Sequence, residues 1–193
     1  MPDIRLIVGL GNPGAQYALT RHNVGQWLVT QCAADAQLSF QLETKLQAQV
    51  TRWQTDFFDC RLALPTTYMN LSGSAVQKLS HYFKIPIESV LVIHDDLDLE
   101  PGVARLKIGG GHGGHNGLRD IIEHMGNGFS RLRLGIGHPG SAAEVSDFVL
   151  AAPKKTEHLE IEKAISDSLK VLPSVLKGEM SSAMNILHTQ LKG

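Results

Sequence analysis

Ile4-Arg5-Leu6-Ile7-Val8-Gly9-Leu10-Gly11-Asn12-Pro13-Gly14 is a short apolar run followed by a glycine-rich turn, and it predicts a buried β-strand with a tight loop at its end. Four more runs have strand character, at residues 56–64, 90–94, 105–108 and 131–136. Apolar residues at helical spacing lie between these runs. The alternation predicts an α/β fold with a twisted, mostly parallel or mixed central sheet flanked by helices.

Beyond Pro153 the pattern is helical. One apolar stripe is followed by a predicted break at Pro173 and Gly178, and a second stripe follows the break. The two stripes are Ile161, Ile165, Leu169, Leu172 and then Met180, Met184, Leu187, Leu191. We expect these helices to close one side of a single domain that spans residues 1–193.

Composition narrows the function classes. The chain has 193 residues, 18 Lys and Arg against 19 Asp and Glu, and a net charge of −1, so any polyanion must meet a local basic patch. No apolar run approaches the length of a membrane span, and no secretion signal is recognisable. Cys32 and Cys60 lack CxxC spacing. We expect a cytoplasmic protein without a disulfide framework or a membrane partner.

The turn at residues 9–14 matches the G-x-G-x-x-G dinucleotide fingerprint, with Asp35 about 20 residues on. Pro13 removes an amide donor from the loop, and a helical pattern rather than a second strand precedes Asp35. A nicotinamide cofactor and a turn without any ligand are therefore alternatives. The favoured interpretation is that the rigid loop displays the polar side chain of Asn12.

His22 precedes a predicted helix in which Asn23 and Gln26 have the spacing of a capping box. The positive end of the helix dipole favours a neutral ring that can accept a proton. A purely structural histidine is the alternative.

Three carboxylates, Asp95, Asp96 and Asp98, lie at the end of the strand at residues 90–94. One of them, hydrogen-bonded to His22, would orient the ring and stabilise its charged form. The dipole and the carboxylate act on the pKa of His22 in opposite directions. Asp96 and Asp98 are also suited to ending the strand and capping a turn.

Six glycines lie among the nine residues 109–117, a segment that leads into a helix and allows close approach to a ligand. Asn116 is the candidate positioning amide. His112 and His115, together with His94, allow a metal site as an alternative, but no HExxH motif or cysteine pair supports it, and we expect no metal.

Strand periodicity places Arg105 with Lys107 on one face, and Arg131 with Arg133 on one face of another strand. If the strands are neighbours, the four side chains form a cationic patch for one or two phosphates. A solvated strand face is the alternative.

These parts favour hydrolysis by activated water. No G-x-S-x-G elbow supplies a nucleophile. A neutral histidine, an aspartate and the amides of Asn12, Asn70 and Asn116 suit water attack on an ester or amide.

Six segments together resemble the bacterial peptidyl-tRNA hydrolase family: residues 9–14, 20–25, 65–73 (Pro-Thr-Thr-Tyr-Met-Asn-Leu-Ser-Gly), 94–99, 109–118 and 131–139. The similarity runs from about Ile4 to Leu150. It implies a monomeric cytoplasmic esterase that needs no cofactor and cuts the bond between a peptide and the 3′ ribose of tRNA.

The resemblance also assigns roles to matching positions. It implies that His22 is the general base, that Asp95 holds its basic form, and that Asn12 distinguishes blocked from free aminoacyl-tRNA. The resemblance further implies that Tyr17 contacts tRNA and that Met69, Asn70 and Asn116 line the peptide and terminal-adenosine cleft. Tyr17 and these three residues are thus expected to bind the substrate, and Lys107 and Arg133, with Arg105 of the same patch, are expected to bind tRNA phosphates. An RNA-binding module without turnover is the rival from another class.

Overall fold

A computed structural model describes residues 3–189 of the chain. Seven strands form one sheet in the described residues: β1 (Leu6–Gly9), β2 (Gln41–Glu43), β3 (Ala48–Gln54), β4 (Asp59–Pro65), β5 (Val90–Asp96), β6 (Ala104–Ile108) and β7 (Ser130–Gly135). The α-helices of the same residues are α1 (Val24–Asp35), α2 (Ser72–Phe83), α3 (Asn116–Met125), α4 (Val145–Val149), α5 (Lys155–Leu176) and α6 (Met180–Thr189).

The sheet is mixed and has the spatial order β2-β3-β4-β1-β5-β7-β6. The four central strands β4, β1, β5 and β7 are parallel, and β2, β3 and β6 are antiparallel additions at the edges. This confirms the predicted α/β class. The sequence did not predict β2 and β3, because all three residues of β2 are exposed and β3 is largely polar.

Both faces of the sheet are covered, so the central strands are buried on both sides. In β1 the side chains of Leu6 and Val8 pack in one core with α2 and α3. Ile7 lies in the other core, which contains residues of α1, α5 and α6. This alternation follows from the two-residue period of a strand, and it confirms that the C-terminal helices close one side.

Two glycines bring α1 unusually close to the sheet. A Cβ on Gly25 would lie 2.2 Å from the main-chain oxygen of Ile93, and a Cβ on Gly9 would lie 2.5 Å from that of Gly25. Only glycine permits this approach. As a result, the residues just before α1 lie over the carboxyl end of β5.

The predicted helix break at Pro173 is wrong, because α5 continues through this proline to Leu176. The flanking Leu172 and Val175 are buried in the core, and their burial offsets the lost main-chain hydrogen bond. The chain turns instead at Gly178, whose φ is 81°. Leu191 lies outside the described residues, and the prediction of one domain over residues 1–193 stays a prediction at both ends.

None of the helices in residues 3–189 is both long enough and apolar enough to cross a lipid bilayer.

Candidate active site

A cleft of about 630 Å³ opens at the carboxyl ends of the parallel strands, where α/β sheets form their sites. Nine of the ten predicted site residues line it: Asn12, Tyr17, His22, Met69, Asn70, Asp95, Lys107, Asn116 and Arg133. The tenth, Arg105, is not part of the lining and lies on the adjacent strand face.

His22 and Asp95 are in direct contact. The ring belongs to a single 3-10 turn, Arg21–Asn23, that immediately precedes α1. Its Nδ1 atom lies 2.9 Å from both carboxylate oxygens of Asp95. His22 is 8% exposed and Asp95 is 2% exposed, so both residues are buried.

The electrostatics of this pair follow from burial and from charge. Burial disfavours the charged form of His22, but the attraction and hydrogen bond of Asp95 outweigh it and raise the pKa of His22 above its usual value. Burial alone would raise the pKa of the Asp95 carboxyl, whereas His22 and His115 lower it far below its usual range. Asp95 is therefore ionised at neutral pH, and it, rather than the helix dipole, decides the net shift at His22.

Two further histidines hold the same aspartate. His115 Nε2 lies 2.8 Å from Asp95 Oδ1, and His94 Nδ1 donates to the main-chain oxygen of Asp95 at 2.7 Å. Burial, with help from His115, lowers the pKa of His94 to about 3, so this ring is neutral. The sequence suggested both residues only as alternative metal ligands. The position of His115 directly before α3 was the available signal, because an N-cap side chain has a fixed orientation.

Asn23 does not form the predicted capping box. Its Oδ1 accepts from the main-chain N–H of Asn12 at 2.9 Å, and its Nδ2 donates to the main-chain oxygen of Asn12 at 2.9 Å. The side chain thus clamps the glycine-rich turn instead of the helix start. The turn competes for this side chain, which makes two hydrogen bonds there and would make one as the N-cap of α1.

The amide of Asn12 is fixed in orientation. Its Oδ1 accepts from the main-chain N–H of Met69 at 2.7 Å. An N–H can only donate, so the other amide atom is Nδ2, and it has no protein partner in the described part of the chain. The cleft therefore receives a hydrogen-bond donor at this position.

The dinucleotide alternative lacks its acidic partner. Asp35 ends α1, and the strand that follows it is β2 at the far edge of the sheet, three positions from β1. A ribose held at the turn of residues 9–14 would be out of its reach.

The basic residues do lie together, since Arg105 is opposite Arg133 and Lys107 is opposite Arg131 in the β6–β7 pair. These basic side chains differ in their partners and in their exposure. Arg131 is buried and donates to the main-chain oxygens of Gly110 and Gly111, and Arg133 donates to Asp96 at 2.7 Å. Lys107 is exposed at the cleft.

Asp96 and Asp98 form a turn, as expected for residues at a strand end. Asp96 Oδ1 accepts from the main-chain N–H of Asp98 at 2.9 Å, and its other oxygen holds Arg133. Neither carboxylate hydrogen-bonds to His22, which leaves Asp95 as the partner of that ring.

The remaining predicted residues of the cleft differ in exposure, and Met69 among them is buried. Asn70 and Asn116 are exposed, and Asn116 accepts from Arg119 at 3.1 Å. Tyr17 packs edge-to-face with Tyr68 at 6.4 Å between ring centres. A Cβ on Gly117 would lie 2.6 Å from Met69 Sδ, which is why α3 can start directly beside Met69.

A metal could be held only by rearrangement of the site. In the described residues, the group close enough to share an ion is His22, Asp95 and His115, not the histidine set expected from the sequence. Each ring already directs a nitrogen at Asp95 within hydrogen-bond distance. The donor set fits a hydrogen-bonded network better than a cation, which needs those nitrogens without protons.

Sequence reasoning missed one wall of the cleft. Residues of the segment 142–150, which includes α4, line it. Arg21 holds this segment, because it donates to the main-chain oxygens of Phe148 and Ala151 and pairs with Glu157 at 2.9 Å. The neighbour of His22 thus anchors the wall.

Comparison with known proteins shows the family to which the chain belongs. A sequence profile described as peptidyl-tRNA hydrolase matches residues 6–192, well past the limit at Leu150 expected from the motifs. The peptidyl-tRNA hydrolases of Pseudomonas syringae pv. tomato and Aeromonas hydrophila are 53% and 52% identical. The alignments cover 98% of this chain and 99% of the first protein, and 97% of this chain and 96% of the second.

The fold is also similar to that of solved peptidyl-tRNA hydrolases. The crystal structure of peptidyl-tRNA hydrolase from Acinetobacter baumannii superposes with a TM-score of 0.93 at 47% identity, over 95% of this chain and 94% of that one. By sequence over nearly its whole length and by structure, this chain belongs to the peptidyl-tRNA hydrolase family.

Proposed function

We propose that this chain hydrolyses the ester bond between a peptide, or an N-blocked aminoacyl group, and the 3′ ribose of tRNA, and so recycles tRNA from peptidyl-tRNA that ribosomes release early. Membership of the family supports the reaction class. The observation that carries the mechanism is the bond between His22 Nδ1 and Asp95. It fixes which nitrogen of the ring is left for chemistry.

The proposed first step is general base catalysis. Ionised Asp95 accepts the Nδ1–H of His22, so the lone pair of the neutral ring lies on Nε2, which has no protein partner in the described residues. Nε2 removes a proton from water as the water oxygen attacks the ester carbonyl. The imidazolium that forms is stabilised by Asp95. Collapse of the tetrahedral intermediate breaks the bond to the 3′ oxygen, which takes the proton back from His22.

Substrate binding is assigned to the cleft residues. In this proposal Asn12 Nδ2 donates to a carbonyl of the blocked aminoacyl group, which its fixed orientation supports. In this proposal Met69, Asn70 and Asn116 line the cleft for the peptide and the terminal adenosine, and Tyr17 contacts tRNA. Lys107 and Arg133 contact tRNA phosphates, and Arg105 extends the same strand face beyond the cleft.

We also propose that the enzyme acts in the cytoplasm, where ribosomes release the substrate, as a monomer of 21.0 kDa and without a cofactor. Light scattering after gel filtration measures the mass directly. A mass near 42 kDa at micromolar concentration, about twice the chain mass, would contradict the monomer.

The main test replaces His22 by Ala and measures release of N-acetylated amino acid from tRNA. We expect a loss of at least about a hundredfold in kcat, with tRNA affinity retained. Wild-type enzyme with free aminoacyl-tRNA is the specificity control. If the variant releases product at the wild-type rate, His22 is not the base. Binding of tRNA without any turnover by the wild type would favour the RNA-binding module.

A further inference from the structure

Three histidines from three different segments hold Asp95. His22 and His115 both contact the carboxylate, at 2.9 and 2.8 Å, and His94 holds the main-chain oxygen of the same residue at 2.7 Å. The ring centres of His22 and His115 are 4.9 Å apart. A buried carboxylate held by two donors, on a residue whose main-chain oxygen is held by a third, has little freedom to rotate.

The main chain assigns the tautomer of His115. Its Nδ1 lies 3.1 Å from the N–H of Gly117 and 3.3 Å from that of Leu118, as the N-cap of α3. A main-chain N–H can only donate, so Nδ1 must accept and carries no proton. The proton of the neutral ring is therefore on Nε2, and His115 donates it to Asp95 Oδ1.

The lone pair of His115 Nδ1 is used by the N-cap of α3. Protonation at Nδ1 would break both capping bonds and place a positive charge at the positive end of the α3 dipole. His22 has no such restraint, because its Nε2 has no partner among residues 3–189. Of the two rings on Asp95, His115 is the one tied to a helix start.

We propose that His115 is a positioning residue, which holds Asp95 as the acceptor for His22 and, by sharing its negative charge, limits how strongly Asp95 retains the proton on His22. This rests on the proposed role of His22 as the base. The base must release its proton to the leaving oxygen in every cycle, so an aspartate without the second donor would hold that proton too strongly.

The other charged groups around Asp95 do not replace His115 in this role. His94 is neutral and is bonded to the main-chain oxygen. Asp96 faces Arg133, which it holds at 2.7 Å. Lys107 and Arg131 belong to the strand face beyond this pair, and Arg131 is bonded to main-chain oxygens of the glycine-rich loop.

His115→Asn separates the two functions of this side chain. Asparagine is a good N-cap, so its side-chain oxygen still accepts from the start of α3, but it is too short to reach Asp95. His115→Ser does the same and serves as a second variant if the first folds poorly. His112→Asn is the matched control, because His112 Nδ1 also accepts from a main-chain N–H two residues later, at 3.0 Å, in the same loop.

The decisive measurement is the titration of the His22 ring by NMR. Loss of the donor concentrates charge on the carboxylate, so His115→Asn is expected to raise the pKa of His22 by roughly 0.5 to 1 unit. His112→Asn leaves the titration unchanged, and Asp95→Asn shifts it in the opposite direction. An unchanged or lowered pKa of His22 in both His115 variants would overturn the proposal.

Kinetics provide the second measurement. The acid limb of kcat/KM in His115→Asn is expected to move to higher pH, and kcat on the plateau is expected to fall on the order of tenfold, since one charge-assisted hydrogen bond is lost. A residue that only capped α3 would leave the pH profile in place. If His22→Ala keeps full activity while the NMR shift appears, the network is correct and the assignment of the base is wrong.

Discussion

Arg21 lies with its guanidinium carbon 3.9 Å from the centre of the Phe148 ring, and the same group donates to the main-chain oxygen of Phe148 at 3.0 Å. Arg21 therefore connects two parts of the site: the turn in which His22 lies and the wall formed by α4. Because the guanidinium is buried and has several partners, its loss leaves main-chain oxygens without donors.

Arg21→Met is expected to lower the free energy of unfolding by about 2 to 4 kcal/mol and to raise KM more than it lowers kcat, because the wall loosens while His22 and Asp95 remain paired. Urea unfolding and steady-state kinetics measure the two effects. Arg52→Met is the control: its ion pair with Asp59 is exposed, so its stability and KM should stay near the wild type. If Arg21→Met and Arg52→Met changed stability and KM equally, Arg21 would not be the residue that holds the wall.

Activity and stability should respond oppositely to pH around the pKa of His22, which lies above its usual 6.5. The general base must be neutral, so kcat/KM rises as pH passes upward through this pKa. The raised pKa in the folded state means that the His22–Asp95 pair contributes stability in full below pH 6.5. This contribution is lost as pH rises through the folded-state value.

Urea unfolding across pH 5 to 9 measures the free energy of unfolding, and kcat/KM is measured over the same range. His22→Asn is the control, because it lacks the part of the pH dependence of stability that comes from the His22 ring. An acid limb of kcat/KM centred below pH 6.5 would contradict the role of Asp95 in holding the proton on His22.

Asn12→Asp tests whether the side-chain amide of Asn12 presents its Nδ2 donor to the substrate. The substitution keeps the oxygen that accepts from Met69 but replaces the free Nδ2 donor by a second, negatively charged oxygen. Hydrolysis of N-acetylated aminoacyl-tRNA is expected to fall on the order of ten- to a hundredfold, because a buried carbonyl loses its donor. The charged amino group of free aminoacyl-tRNA is attracted instead, so the preference between the two substrates narrows. A preference equal to that of the wild type would exclude Asn12 as the discriminating contact.

Lys107→Ala should weaken tRNA binding and flatten its salt dependence by about one unit of slope, as expected for one lost phosphate contact. Arg133→Ala should change the slope less, because Asp96 already neutralises part of its charge. Lys78→Ala on the exposed face of α2 is the control, with no change expected. Identical salt slopes for Lys107→Ala and the wild type would remove Lys107 from the phosphate contacts.

Local patterns were sufficient to predict much of the molecule. The alternation of apolar strands and helices predicted the α/β class, and the strand period predicted that Arg105 shares a face with Lys107. The hairpin β2–β3 was not predictable in this way, because β2 is exposed and most of β3 is polar, with Ala48 and Val50 as its buried apolar residues. Pairing with β4 holds the hairpin in the sheet.

The sequence by itself determined which chemical groups are present and where along the chain they occur, since strand ends, glycine-rich turns and helix starts are local features. Only the tertiary structure decided how those groups pair. Asn23 clamps the turn of Asn12 instead of capping α1, and His115 joins His22 at Asp95. Such choices depend on distances between segments that are far apart in the chain, and a hydrogen bond forms with whichever partner folding brings within 3 Å or so.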